Sequence, residues 1–255
     1  MTERNKSNYE NYDEKRRQFY VNAHLPRYLT TIRYFDKLFT PGSRILDACA
    51  GTGKYSFYLA ERGHSVTACD LVEHHVNIIK SAPNANKLAG AMVCNVLDLS
   101  QFEDESFDIV LCIGVMHHLP LDDKKILAIR ECTRVCKLGG LVVLSYLNYF
   151  EDEADDENEG QNNIERILAE FEDDGEHHLE QSKTPAKMER FATGEGLEIL
   201  HNIGDGLSMI LHDKENDADT AEFQEWMEFI YKHCEDPDIL GYSTHGLLIC
   251  KKRIK

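Results

Sequence analysis

No stretch of the 255-residue chain stays apolar long enough to cross a bilayer. Its first twenty residues, MTERNKSNYENYDEKRRQFY, lack the apolar core of a secretory signal, so a cytoplasmic protein with no membrane partner is expected. Positive charge is scarce: 28 lysines and arginines face 45 aspartates and glutamates, a formal net charge of −17. A field of that sign repels phosphate backbones, and the short basic run KKRIK does not reverse it, so nucleic acid is not an expected partner. Zinc spacing is missing as well. Cys132 and Cys136 fall four apart on an expected helix with no second cysteine or histidine pair, and His177–His178 have no ligand-spaced partners, so no metal is expected. Cys69, Cys94 and Cys112 lie in apolar, strand-like runs and Cys49 just after another, which reads as buried thiols in a reducing compartment instead of disulfides. There is no internal repeat.

What is present points to a packed α/β chain. Hydrophobic residues make up 42% of the sequence, enough for a core. From Arg44 onward, the apolar runs RILDAC, HSVTACD, AMVCNV, FDIVLCIG and GLVVLSYLN alternate with the helical patterns GKYSFYLAERG, VEHHVNIIKSA and LDDKKILAIRECTRVCKLGG. Short apolar strands separated by helices predict a mostly parallel sheet covered on both faces, the doubly wound α/β class. Lys137 in a last turn, with Gly139–Gly140 beyond it, predicts the end of the third helix. Residues 11–39 predict one or two aromatic-rich helices ending at Pro41–Gly42. After the fifth strand, EDEADDENEG (151–160) reads as a solvated acidic loop. Helical periodicity returns at NNIERILAEFE and at TPAKMERFATGEG, where Thr184 and Pro185 predict an N-cap and a first helical residue. LEILHNIGDG reads as a strand, TAEFQEWMEFIYKHC as an amphipathic helix and YSTHGLLICKK as a final strand.

The segment ILDACAGTGKYS (45–56) is a small-residue turn between an expected strand and an expected helix, an outline shared by three kinds of nucleotide site. A P-loop needs a glycine five residues before its Gly-Lys pair and a hydroxyl after it; here Ala48 and Tyr55 occupy those places, and the reading fails. A dinucleotide turn is approached by Gly51-Thr52-Gly53-Lys54-Tyr55-Ser56, with Asp70 placed 17 residues after Gly53 to bind ribose hydroxyls. Asp47 tilts the balance. A carboxylate at the end of the first strand is unfavourable beside a pyrophosphate and suits a cofactor with an α-ammonium group and a sulfonium.

Two further features add to this: CNVLDLSQFEDESFDIVLCIG, which feeds a fourth strand through Ser106-Phe107-Asp108, and a terminal helix followed by HGLLICKK as an antiparallel strand. With these the sequence resembles the class I S-adenosylmethionine-dependent methyltransferases. The resemblance is carried by ILDACAGTGKYSFYLAERGHSVTACDLVEHHV, by NVLDL with FEDESFDIVLCIGVMHHL, and by LGGLVVLSYLN. It covers Tyr28 to Asn148 well and the final strand more loosely. At one place the chain departs from pattern: Cys49 stands where the family's first turn glycine is expected, leaving Gly51 and Gly53 for the closest approach. The resemblance implies a Rossmann-like, mostly parallel seven-stranded sheet with an antiparallel last strand. It also implies an N-terminal helical lid segment over 1–40, and a methyltransferase domain over 41–255 with lid insertions at about 149–184 and 206–220.

A site follows by the same resemblance. Asp47 would accept from the methionyl ammonium, and Ala48, Cys49, Ala50, Gly51, Thr52 and Gly53 would border the methionine and ribose. Asp70 would take both ribose hydroxyls, and Leu71 would cover an adenine face. Asn95 and Val96 would meet the adenine edge, a capping asparagine being the alternative for Asn95, while Asp98 is a loop acid. Ile113 and Gly114 would lie beside the transferred methyl. His117 or His118 is the candidate general base, with packing as the alternative. Tyr9, Tyr12, Tyr20, Arg27, Met116 and Tyr146 are candidates for the acceptor side, against a helical stripe that merely packs on the core. The expected activity is methyl transfer from S-adenosylmethionine to the O, N or S atom of a small molecule, leaving S-adenosylhomocysteine, by a monomer or homodimer. An NAD(P)-dependent oxidoreductase and a non-catalytic S-adenosylmethionine-binding module remain as alternatives.

Overall fold

The computed structural model describes residues 25–119, 121–148, 185–204 and 220–254. Tyr9, Tyr12, Tyr20, Thr184, His177–His178, the acidic stretch and both expected lid insertions except Thr220 lie outside the described residues. Seven strands form one sheet: β1 (Arg44–Asp47), β2 (Ser65–Asp70), β3 (Gly90–Val93), β4 (Phe107–Cys112), β5 (Cys136–Leu147), β6 (Leu197–Gly204) and β7 (His245–Lys252). Their order across the sheet is β3-β2-β1-β4-β5-β7-β6. Only β7 runs against the rest, inserted between β5 and β6. The doubly wound class and the antiparallel last strand are therefore as expected.

Strand periodicity explains the two layers. Side chains alternate across a strand, so each central strand supplies both faces. Leu46, Val110, Cys112, Val142, Leu144, Leu248 and Cys250 go to one side, where α4 (Asp122–Val135) and α5 (Pro185–Gly194) cover them. Ile45, Ile109, Leu111, Val143, Leu247 and Ile249 go to the other, under α1 (Leu25–Leu38), α2 (Lys54–Glu61) and α6 (Ala221–His233). Each fully buried Leu or Ile contributes about 1.5–3 kcal/mol, which is why the strands read as continuous apolar runs instead of alternating ones. α3 (Glu73–Ser81) packs against β2 and β3 through Val76 and Ile79. Asp122 staples the first layer, taking Lys125 at 3.1 Å and Lys187 of α5 at 2.7 Å. All eight cysteines are thiols, seven of them buried.

Three sequence expectations shift. The helix expected to run through Lys137 ends at Val135, and Cys136 already pairs with Phe107. The ladder resumes only at Ile109 with Leu141, so the intervening residues bulge. Gly139, at φ +74°, and Gly140, whose Cβ would stand 2.6 Å from the Asp108 carbonyl, serve that bulge and not a helix stop. The third strand ends at Val93, and Asn95 instead forms an isolated bridge with Asp98. Tyr146, expected at the acceptor side, is a core residue only 1% exposed. Its ring lies over Gly246 of β7 and its hydroxyl donates to Asn202 of β6 at 2.8 Å, so one side chain crosses three strands.

That contact makes Gly246 a sensitive position, since a Cβ there would overlap the Tyr146 ring. Gly246→Ala is expected to lower stability in urea denaturation by about 1–3 kcal/mol by overpacking. Tyr146→Phe, which keeps the ring and loses one hydrogen bond, is expected to lose only about 1 kcal/mol. Equal losses would mean that the ring does not rest on the glycine.

Candidate cofactor site

Everything that the sequence marks for a cofactor gathers at the C-terminal ends of β1, β2 and β4, where sheets of this type bind ligands. The chain leaves β1 at Asp47 and turns at once. Ala48 N–H still donates to Leu111 on β4 at 2.9 Å, but Ala50 N–H crosses to Cys69 on β2 at 2.7 Å. The loop therefore bridges both neighbours of β1. Gly51 and Gly53 have φ of +54° and +90°, and Gly53 N–H closes the turn on Ala50 at 2.8 Å. α2 then starts at Lys54.

The two glycines differ in role. A Cβ on Gly53 would stand 2.8 Å from the Phe57 ring and 3.1 Å from Ile79, so this glycine allows α2 and α3 to close on the loop. A Cβ on Gly51, or on Gly114 after β4, would meet nothing within 4 Å. Of the two expected closest approaches, only Gly51 borders open space. Cys49, in place of a third glycine, is half-buried and is accommodated without a left-handed backbone.

Asp70 fixes the loop. Its carboxylate accepts Gly51 N–H at 2.8 Å and Val72 N–H at 2.9 Å, with His75 Nδ1 at 3.1 Å. Burial would raise its pKa, but the hydrogen bonds from His75, Val72 and Gly51 outweigh that and hold it below the usual carboxylate value. This acid is ionised, pre-oriented and 13% exposed, and its remaining acceptor capacity can take a diol. Leu71 beside it is 37% exposed, the apolar cover expected for a flat base.

Asp47 is the opposite case. It is 1% exposed, accepts Ser56 Oγ at 2.6 Å and has no cation partner among the described residues. Burial and the charge of Asp70 push it up to about 7, against the hydrogen bonds from Ser56 and Cys49 N–H. A buried carboxylate without a counter-ion is a site that a ligand's ammonium group improves.

The other expected residues divide. Ile113 is half-buried and Gly114 exposed at the end of β4, where Gly114 N–H donates to Ser145 Oγ at 2.7 Å. His117 and His118 follow on a short 3₁₀ turn, rings 3.8 Å apart, both half-buried. Ala48, Val96 and Met116 are core side chains, at 2%, 5% and 0% exposure, so only their backbones can border a ligand. Asn95 Oδ1 accepts Leu97 N–H at 3.0 Å, the capping geometry, which leaves its second lone pair and its amide N–H groups for a base. Arg27, on the first turn of α1, lies close enough to Tyr55 to act on its hydroxyl electrostatically. Tyr28 stacks on Tyr55 at 5.6 Å with Lys54 Nζ 4.0 Å from its ring centre. The N-terminal helix thus rests on the helix that leaves the glycine loop.

Sequence reasoning missed Ser56, His75 and Ser145. Each is a small or helical polar residue that touches a marked residue, and their common signal is a polar side chain at a position whose periodicity calls for an apolar one.

The Asp47 carboxyl should be visible in stability. Unfolded, it ionises near 3.8; folded, only near 7. Its contribution is therefore present below pH 3.8 and lost as pH rises through about 7. Between pH 6 and pH 8 the ligand-free protein should lose about 1.4 kcal/mol relative to Asp47→Asn in paired urea titrations. A constant difference between the two proteins would place Asp47 in contact with solvent.

Residues 46–144 match the family model for a methyltransferase domain. A human probable tRNA methyltransferase 9B is 38% identical over 113 residues, 44% of this chain and 23% of that protein. A ubiquinone biosynthesis O-methyltransferase of Xanthomonas euvesicatoria is 31% identical over 159 residues, 62% of this chain and 64% of that protein. The chain thus spans about a quarter of the first relative and less than two thirds of the second. Among solved structures, a TehB-like methyltransferase of Corynebacterium glutamicum superposes with a TM-score of 0.57 at 18% identity, over 97% of this chain and 99% of that one. Residues 46–144 thus match a methyltransferase domain, and the fold around them is the one that S-adenosylmethionine-dependent methyltransferases such as the C. glutamicum protein share.

Proposed function

We propose that the chain uses S-adenosylmethionine to methylate a small-molecule acceptor, leaving S-adenosylhomocysteine. The observation that carries the cofactor is the pair of acids: Asp70, ionised and held by Gly51 and Val72, and Asp47, buried without a counter-ion. Bound there, S-adenosylmethionine supplies an electrophilic methyl group on a sulfonium. Asp70 and Leu71 would hold the ribose and the adenine, Asn95 the edge of the base, and Asp47 the ammonium. Gly51 and Gly114 leave room for backbone approach, because neither offers a side chain to exclude the ligand.

The acceptor class rests on charge. With 45 acidic against 28 basic residues, a polyphosphate acceptor would meet a repulsive field. The relatives above include one named for ubiquinone biosynthesis and one named for tRNA, so the field is the observation that favours the small molecule. An acceptor O–H or N–H must give up a proton, and His117 or His118, on the 3₁₀ turn that follows Gly114, is the proposed recipient. Positioning and exclusion of water by the N-terminal helix supply the remainder.

Calorimetry with S-adenosylhomocysteine is expected to show micromolar binding that is absent with NADH and weakened at least tenfold by Asp70→Ala. Affinity should rise up to about tenfold from pH 6 to pH 8, because a ligand ammonium favours the ionised Asp47, and Asp47→Asn should remove that rise. Binding of NADH alone would overturn the cofactor reading. Incubation with methyl-labelled cofactor then separates the acceptors. Label is expected in the metabolite fraction; label in tRNA would move the acceptor to nucleic acid, and binding without any transfer would leave a non-catalytic module.

A further inference from the structure

The opposite end of the sheet carries a second concave surface. It is a groove of about 530 Å³ between the turn before β1 and the bulge of β5. Leu38, Pro41, Leu138, Leu141 and Leu200 line it, with Lys137 and Lys251. Ser43, Asp108 and Lys251 also belong to it, and all three lie at the strand ends remote from Asp47 and Asp70. It is a separate place from the cofactor site.

Two observations set this groove apart. The first is apolar exposure: Leu138, Leu200 and Ile254 are 45%, 37% and 74% exposed. Leu138 sits in the β5 bulge and Leu200 is the extra residue of the β6 bulge, between Ile199 and His201. Ile254 lies beside them, with Cδ1 3.7 Å from where a Cβ of Gly139 would stand. Bulges turn side chains out of the pleat, and here two bulges flanking β7 turn leucines toward one groove. Exposed apolar groups gathered like this mark an interaction surface.

The second is charge. In a chain of net charge −17, Lys137, Lys251, Lys252 and Arg253 cluster at this edge. Lys137 is held by Asp108 at 2.5 Å and Lys252 by Cys136 O at 2.8 Å and Glu105 at 3.4 Å. Lys251 and Arg253 form no ion pair among the described residues, although Glu198 stands across the ladder from Lys251. A basic rim around apolar side chains complements acidic groups that flank an apolar anchor.

We infer that this groove docks an acidic polypeptide segment with a leucine- or phenylalanine-type anchor, supplied by a partner protein. Two cations without an ion pair among the described residues are too few to follow a phosphate backbone, and a concave floor does not insert into a lipid surface. A protein segment fits both features.

Fluorescence polarisation with the full chain tests this. The probes are labelled synthetic acidic peptides with a central Leu or Phe, beside matched peptides with the anchor changed to Ser or the acids changed to Lys. The anchored acidic set is expected to bind at micromolar concentration and to weaken as salt rises. Lys251→Glu with Arg253→Glu, and separately Leu138→Ser with Leu200→Ser, should each weaken it at least tenfold. S-adenosylhomocysteine binding and thermal melting, read on the same variants, verify that they are folded. Failure of the anchored acidic set to bind, or binding indifferent to both variants, overturns the inference. It is equally overturned if the variants abolish binding of phosphatidylserine vesicles or of duplex RNA instead. Self-association of the chain, lost with Leu138→Ser and Leu200→Ser, would make the occupant a second copy and overturn it too.

Discussion

The hydrogen bond from Gly51 N–H to the Asp70 carboxylate holds the site together. A parallel sheet leaves each strand end open, because the chain must depart over a face and return several residues later. Backbone bonds to Leu111 and Cys69 hold the loop after β1 only as far as Ala50. At Gly51 one carboxylate at the end of β2 takes over, accepting the loop N–H at 2.8 Å and its own turn's Val72 N–H at 2.9 Å. Both bonds go to a charged acceptor, the stronger kind, at about 1.5–3 kcal/mol each. From that anchor follow the left-handed glycines, the start of α2 and the placement of Ser56 under Asp47.

The two acids divide the work because their surroundings differ. Asp70 is surrounded by donors and stays ionised, whereas Asp47 is stripped of water with a hydroxyl and one peptide N–H for company. Each raises the cost of the other's charge. A buried carboxylate without a counter-ion costs the free protein stability as it ionises, and a bound cation would offset that cost.

Much of this was legible in the sequence, and the reasons are specific. Continuous apolar strands and glycine-broken helices announce a covered parallel sheet; Asp47 and Asp70 stand at strand ends, positions that a period of two fixes to within a residue. The site's supporting residues were not legible. Ser56, His75 and Ser145 act through single hydrogen bonds whose partners are distant in sequence, and no spacing encodes such a partner. Tyr146 misled for a related reason: at a strand end an aromatic with a hydroxyl fits a ligand wall and a core bridge equally, and only the glycine on β7 decides. Lys137 with Gly139–Gly140 copies a helix stop because a bulge and a C-cap ask for the same residues, a left-handed glycine and a long basic side chain.

The position of β7 has a last consequence. An antiparallel strand between β5 and β6 reverses the local direction, so its C-terminal residues finish at the edge where the parallel strands begin. Lys251, Lys252 and Arg253 are thereby carried away from the acids at the cofactor end, to the edge that also holds Lys137. One topological choice, an inserted reversed strand, thus separates these cations from the two acids along the sheet.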